Sequence, residues 1–377
     1  LGGKIHRAEH SQHREVYFFI GTEAEFIKIF PVIVECRNKD MICNIIASGQ
    51  NDIKKSRIWE ILDDNVGYFE LSKESDIKKN AKGLLAWFIK TYKKAPKLIG
   101  ERFGILNGKL LVVHGDTVST LMGAWVGYKL GMKVCHVEAG LRSHNIFNPF
   151  PEEIDRMLTS SKATMHFAPG DEPTSNLKKA KGMIVNTRYN TIIDSLSMSE
   201  DIELKNKDIY ALHDIDYFVF VMHRQENLMN KTFFKECIRK VQKLAEKRHC
   251  VMILHEPTRV ALEELNILEE LQKDTDFTLL PRVDYFDFMK LLEGAKYVIT
   301  DGGSNQEELS YMGKPTLIMR KTTERLDGIG KNARLYNGDT DNILKMDEAY
   351  KEMMRERVIP NTSPSKIIAD ELCKVIE

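Results

Sequence analysis

Short apolar runs alternate with longer amphipathic stretches along almost the whole chain, and this alternation limits the fold more than any other feature. In the first half the runs are VYFFIG, ICNIIAS, LLVVHG, KVCHVEAG and TMHFAPG; in the second they are YFVFVMH, CVMILHE, FTLLP, YVITDGG and PTLIMR. Runs this short with no polar face read as strands buried on both sides. The stretches between them, such as TLMGAWVGYKLG and FDFMKLLEGA, carry helical periodicity. Strands alternating with helices build parallel sheets covered on both faces, the doubly wound α/β class. The alternation restarts near Tyr217, after the charged stretch SEDIELKNKDIYALHDID, which puts a domain junction within residues 180–215. A chain of 377 residues has room for two domains. The expected division is 1–185 and 186–362, followed by a capped amphipathic helix over 363–377. Two Rossmann-like sheets in tandem are expected to face a cleft, with ligands beyond the carboxyl ends of the strands.

Charge and cysteine usage exclude several classes. Lys+Arg and Asp+Glu both total 55, so the net charge is zero. Neither a basic excess nor a basic stripe points to nucleic acid. Lys-rich pieces such as KTYKKAPK read as solvated helix faces. The six cysteines are scattered with no C-x-x-C pair, which argues against a zinc site or disulfide framework and for a reducing compartment. No apolar run approaches the roughly 20 residues of a membrane span. The stretch LGGKIHRAEHSQHRE is too polar for a secretory leader, so a cytoplasmic location is expected.

The unusual polar residues fall where strands stop. Asp116 ends LLVVHGD, with Thr117 behind it at a helix start, and either residue suits an N-cap. Glu138 follows KVCHV and is expected to face the cleft or to pair with Arg142. In NPFPEEIDR, Pro151 suits a first helical turn, with Glu152 and Glu153 beside it, where the helix dipole favours acids. Each carboxylate has a structural reading by itself. Several converging on one sheet edge push one another's pKa values apart, which lets one site hold both an acid and a base.

The second half carries different chemistry. YVITDGGSNQEE reads as strand, Gly-rich loop and helix; Gly302 and Gly303 allow close backbone approach, and helix N–H groups favour an anion. Glu308, one turn on, could accept hydrogen bonds from the two hydroxyls of a ribose. His223 and Arg224 end another strand and suit a phosphate; Arg320 and Arg325 in MRKTTER add positive charge. A nucleoside diphosphate would sit here and aim its leaving group at the acids of the first domain. The first turn, GTEAEF, lacks the G-x-G-x-x-G of a nicotinamide site, and GILNGK is not a P-loop. No redox cofactor and no metal is called for.

GTEAEFIKIFPVI, VVHGDTVST, HVEAGLRS, PFPEEIDR, MHRQEN and TDGGSNQEELSYMGKPTLIMRKTTER together resemble the non-hydrolysing UDP-N-acetylglucosamine 2-epimerase family, in the family's order from about Val16 to about Arg334. The resemblance implies a glycosyltransferase-B-like fold whose C-terminal helix returns to the first domain, and a homodimer. It implies interconversion of UDP-N-acetylglucosamine and UDP-N-acetylmannosamine by elimination and re-addition of UDP through 2-acetamidoglucal. By motif match Asp116, Glu138 and Glu152 are the acid/base candidates, unranked. Lys28, His223 and the loop Gly302–Ser304 would hold the diphosphate, Glu308 the ribose, and the backbone near Phe288 the uracil. Arg142, Arg156, Arg320 and Arg325 would orient carboxylates or phosphates.

Two positions depart from the family's pattern. G-T-E-A-E stands where members commonly read G-T-R-P-E, so Glu23 replaces an arginine expected near the phosphates. Asn51, in SGQND, stands where bacterial members often carry a histidine tied to substrate activation. Other readings of the same residues are an epimerase of a modified UDP-sugar, a hydrolysing epimerase, and an inverting glycosyltransferase of the same fold.

Overall fold

All ten apolar runs form parallel strands, and three further strands join them. The computed structural model describes residues 14–62, 64–77, 81–142, 152–323 and 326–376, without the side chains of Ala81, Glu152 and Ser304. The chain divides into two compact units. One runs to Ser195 and also takes in Thr362–Glu377; the other is Leu196–Asn361.

The first unit holds a seven-stranded parallel sheet: β1 (Glu15–Ile20), β2 (Ile42–Ala47), β3 (Gly67–Glu70), β4 (Leu110–His114), β5 (Lys133–Val137), β6 (Met165–Ala168) and β7 (Met183–Asn186). Their spatial order is β3-β2-β1-β4-β5-β6-β7. The chain winds outward from β1 in one direction and then, from β4, in the other. The switch point therefore lies between β1 and β4, where ligands of such sheets bind. The four helices that matter here are α1 (Glu23–Arg37), α2 (Ala81–Phe103), α3 (Val118–Lys129) and α4 (Glu152–Ser160). Phe18 on β1 and Phe26 and Phe30 on α1 are fully buried, each stabilising the unit by roughly 1.5–3 kcal/mol. The C-terminal helix Pro364–Ile376 packs on α1. Asp194 anchors its start, accepting from Ser363 Oγ (2.9 Å) and the Ser365 N–H (2.8 Å).

The second unit holds six parallel strands: β8 (Tyr217–Val221), β9 (His249–Leu254), β10 (Phe277–Pro281), β11 (Val298–Thr300), β12 (Thr316–Ile318) and β13 (Ala333–Leu335). The order β10-β9-β8-β11-β12-β13 is the Rossmann order, with the switch point between β8 and β11. Strands β8 and β11 are buried along their whole length.

The three strands absent from the sequence reading, β3, β7 and β13, all stand at sheet edges. Their residues, GYFE, MIVN and ARL, are half-exposed in part and too few to form an apolar run.

Candidate active site

Helix capping builds the turns at the first unit's switch point. In the first unit, Thr22 caps α1 and accepts from the Glu25 N–H, while the Glu25 carboxylate turns back to the Gly21 (2.6 Å) and Thr22 (3.0 Å) N–H groups. This reciprocal pair is a capping box. Thr117, not Asp116, caps α3. That frees the Asp116 carboxylate, which pairs with Arg156 Nη2 of α4 at 2.5 Å. The two turns touch closely: a Cβ added to Gly21 would fall 2.1 Å from the Cβ of Ser119, so only glycine fits there.

Glu138, just past β5, adopts a left-handed backbone with φ 62°. A non-glycine residue there carries strain, which surrounding contacts must hold in place. Those contacts are present. Lys28 Nζ donates to both carboxylate oxygens at 3.0 and 2.8 Å, and His114 Nε2 lies 3.1 Å from Oε2. All three side chains are buried. Arg142 does not take the local pairing with Glu138. Its Nε lies 3.7 Å from Glu153, whose carboxylate also accepts from Arg156 Nη1 at 3.2 Å. Asp116, Arg156, Glu153 and Arg142 thus form one chain of alternating charge. Burial pulls the Arg142 guanidinium below its ordinary pKa, with Glu153 opposing.

Glu152 is the first residue of α4, and its side chain lies outside the described residues. Glu23, at the first turn of α1, accepts from Ser56 Oγ at 2.6 Å, and its N–H donates to Asn51 Oδ1 at 3.3 Å. The two positions that depart from the family's pattern therefore meet each other.

In the second unit the turn after β8 is tied to the turn after β11 by Asp301. Its fully buried carboxylate accepts from the N–H groups of His223 (3.0 Å) and Arg224 (2.9 Å) and from Asn227 Nδ2 (2.9 Å), and lies 3.3 Å from His223 Nδ1. His223 stacks on His255, centroid to centroid 4.6 Å. Burial, with His223 alongside, lowers the His255 pKa to about 4. The helix Gly303–Tyr311 begins at Gly302, which has no side chain to cap the first-turn N–H groups. A Cβ on Gly302 would lie 3.3 Å from His223 Cε1, so the ring and the glycine loop adjoin. N–H groups left at a helix start beside a histidine suit an anion.

Glu308 is buried on the same helix, and burial with Glu308 nearby drives the Tyr285 hydroxyl well above its ordinary pKa. Ser304 belongs to this helix by its backbone. Arg320, just after β12, is buried and donates to Thr323 Oγ1 at 3.5 Å. Arg325 lies outside the described residues. Phe288 sits in the helix Tyr285–Gly294, where its N–H is held by the Asp284 carbonyl at 2.9 Å. Sequence reading passed over Glu25, His114 and Asp301, and gave Glu153 no role beyond an acid in the first turn of a helix. Glu25 had a legible signal, the T-x-x-E capping spacing from Thr22.

No group of three or more His, Cys, Asp or Glu able to hold a metal ion occurs among the described residues, and no described helix is long and apolar enough to cross a membrane. The sequence profile described as UDP-N-acetylglucosamine 2-epimerase matches residues 7–364. A UDP-N-acetylglucosamine 2-epimerase from Methanocaldococcus jannaschii is 29% identical over 352 residues, covering 90% of this chain and 92% of that one. The crystal structure of the Methanocaldococcus jannaschii UDP-GlcNAc 2-epimerase in complex with UDP-GlcNAc and UDP aligns with a TM-score of 0.75 at 26% identity, over 96% of this chain and 99% of that one. The UDP-GlcNAc 2-epimerase from Neisseria meningitidis bound to UDP-GlcNAc aligns with a TM-score of 0.76 at 25% identity, over 96% and 100%.

Proposed function

The chain belongs to the UDP-N-acetylglucosamine 2-epimerase family, and from that premise we propose that it interconverts UDP-N-acetylglucosamine and UDP-N-acetylmannosamine by eliminating UDP and adding it back. The observation that carries this reading is a division of chemistry between two switch points. One gathers carboxylates with cations around them; the other offers an uncapped helix start beside a histidine. The C2 proton of the sugar is not α to a carbonyl, so direct deprotonation would be slow. Breaking the C1–O bond to UDP while a base removes the C2 proton gives 2-acetamidoglucal. Protonation on the opposite face and return of UDP then give the other epimer.

In this scheme Asp116, Glu138 and Glu152 are the proton-transfer groups. Positioned acids and bases of this kind contribute about 10²–10⁴-fold each. Lys28 acts first as the counter-ion of Glu138, beside its expected place on the diphosphate, because its Nζ donates to both oxygens of that carboxylate. Arg156 and Arg142 orient Asp116 and Glu153. In the second unit His223 and the loop Gly302–Ser304 take the diphosphate, the loop through helix-start N–H groups beyond that of Gly302, which donates to Thr300 Oγ1 at 3.0 Å; Asp301 sets the His223 ring. Glu308 takes the ribose, uracil lies beside Phe288, and Arg320 and Arg325 balance phosphate charge. The working form is a cytoplasmic homodimer.

Incubation with UDP-N-acetylglucosamine followed by chromatography of the nucleotide sugars tests the reading. The expected result is UDP-N-acetylmannosamine with no net UDP. Accumulating UDP and free hexosamine would make the enzyme a hydrolysing one. Unchanged substrate would overturn the proposal in favour of a transferase or a binding protein.

A further inference from the structure

Glu25 is fully buried and lies outside the set of groups given a role above. Its Oε2 accepts from the Gly21 and Thr22 N–H groups, and its Oε1 meets the hydroxyls of Thr117 and Thr120 (2.9 Å). It therefore ties the β1–α1 turn to the β4–α3 turn, one residue from Asp116. We propose that Glu25 is a positioning residue that carries a proton in the resting enzyme and, as a neutral acid, fixes the turn on which Asp116 sits. The role given to Asp116 rests on the function proposed above; the protonation of Glu25 does not.

Counting hydrogens supports the neutral form. The Thr120 hydroxyl has one proton and lies 2.6 Å from the His114 carbonyl oxygen, which can only accept. That proton goes to the carbonyl, the shorter of the two contacts. Thr120 Oγ1 then faces Glu25 Oε1 at 2.9 Å with no hydrogen to place between them, unless Glu25 supplies it. A carboxylate would leave two lone-pair oxygens in close contact in a dry site, a costly arrangement. A carboxylic acid closes the network: it donates to Thr120, accepts from Thr117, and still accepts two N–H groups on its other oxygen. Burial drives the Glu25 pKa upward, while the hydrogen bonds and His114 oppose it. The titratable group that bears most on Glu25 is His114 on β4, and its Nε2 faces Glu138. From β1, α1 and α3 Glu25 meets N–H groups and hydroxyls.

Two measurements test this. Infrared difference spectra of wild type against Glu25→Gln, with ¹³C-labelled glutamate, should show at neutral pH the carbonyl band of a protonated carboxylic acid that the variant lacks. Absence of that band overturns the proposal, whether or not the protein is an epimerase. For positioning, Glu25→Gln should keep turnover and melting temperature, because its amide donates to the Thr117 and Thr120 oxygens, its oxygen still accepts from Gly21 and Thr22, and the Thr117 hydroxyl, which loses Oε1 as acceptor, turns to Thr120 Oγ1 at 3.1 Å. Glu25→Ala should lower kcat by up to ~10²-fold, the scale of a small misplacement of a reacting group, with KM unchanged. If Glu25→Gln loses as much kcat as Glu25→Ala, an ionised carboxylate is required and the neutral form is wrong. If Glu25→Ala fails to fold, the infrared band and the Glu25→Gln kinetics still decide. An active wild type with the band and an unimpaired Glu25→Ala would leave the proton but sink the positioning role.

Discussion

Replacing Lys28 with methionine keeps the unbranched side chain and removes the ammonium from the strained Glu138. Nζ donates to both carboxylate oxygens, at 3.0 and 2.8 Å, and the two side chains are only 10% and 6% exposed. Water has little room to replace the lost partner. Breaking a buried pair from one side costs about 3–5 kcal/mol. His114 Nε2 remains 3.1 Å from the same carboxylate and offsets part of that, which puts the expected loss near the low end, about 3 kcal/mol. With a urea m-value of about 2 kcal/mol/M, the midpoint should fall by about 1.5 M. The chain's three tryptophans, Trp59, Trp87 and Trp125, all lie in the unit that contains Lys28 and Glu138, so indole fluorescence follows that unit alone. The double variant Lys28→Met/Glu138→Gln should lose clearly less than the sum of the two single losses. A coupling of at least about 2 kcal/mol is expected, against about 0.5 kcal/mol for independent sites. Strict additivity would mean that the pair does not stabilise the fold, and the account of how Glu138 is held would be refuted.

Asp116→Asn, Glu138→Gln and Glu152→Gln should each lower turnover by at least ~10²-fold while UDP affinity changes much less; near-normal turnover in all three removes the acid/base assignment. Glu308→Ala and His223→Ala should weaken UDP binding, since a hydrogen bond to a charged group is worth about 1.5–3 kcal/mol. Calorimetry with UDP alone reads this, and unaltered affinity in both moves the nucleotide elsewhere. The first unit should lose stability in acid through His136, whose Nε2 bonds the Gly115 carbonyl at 2.8 Å while Nδ1 has no partner among the described residues. Burial lowers its pKa from 6.5 to about 3. The unfolded chain takes up a proton that the folded one refuses in that window, so stability falls as pH drops from 6.5 toward 3. His136→Gln should flatten the fall seen by tryptophan fluorescence; an unchanged slope would place the acid sensitivity in other groups.

The strands buried on both faces were legible because their residues have no reason to alternate: LLVV of β4, before His114, and YFVFV of β8 are apolar, and both strands are buried throughout. The strands GYFE, MIVN and ARL were not, since each is interrupted or bounded by polar or charged residues and none is buried throughout. At the site, Asp116, Glu138, His223 and Gly302 were legible because each stands where an apolar run ends, three of them at a helix start. Their partners were not. Lys28 and Glu138 are 110 residues apart, and their meeting depends on the order β1-β4-β5. Arg142 has Glu138 nearby in sequence yet pairs with Glu153, because Glu138 turns to Lys28 and His114. Asp301 read as part of a glycine loop, although its carboxylate is what binds that loop to the His223 turn.

Proton NMR of the protein with UDP-N-acetylglucosamine in deuterated water tests the central claim most directly. An enzyme that eliminates UDP and then protonates the glucal must draw the new C2 hydrogen from solvent. The expected spectrum shows UDP-N-acetylmannosamine carrying deuterium at C2, with no free UDP building up. A manno product that keeps its original C2 proton, or a substrate that stays unchanged, would contradict the account.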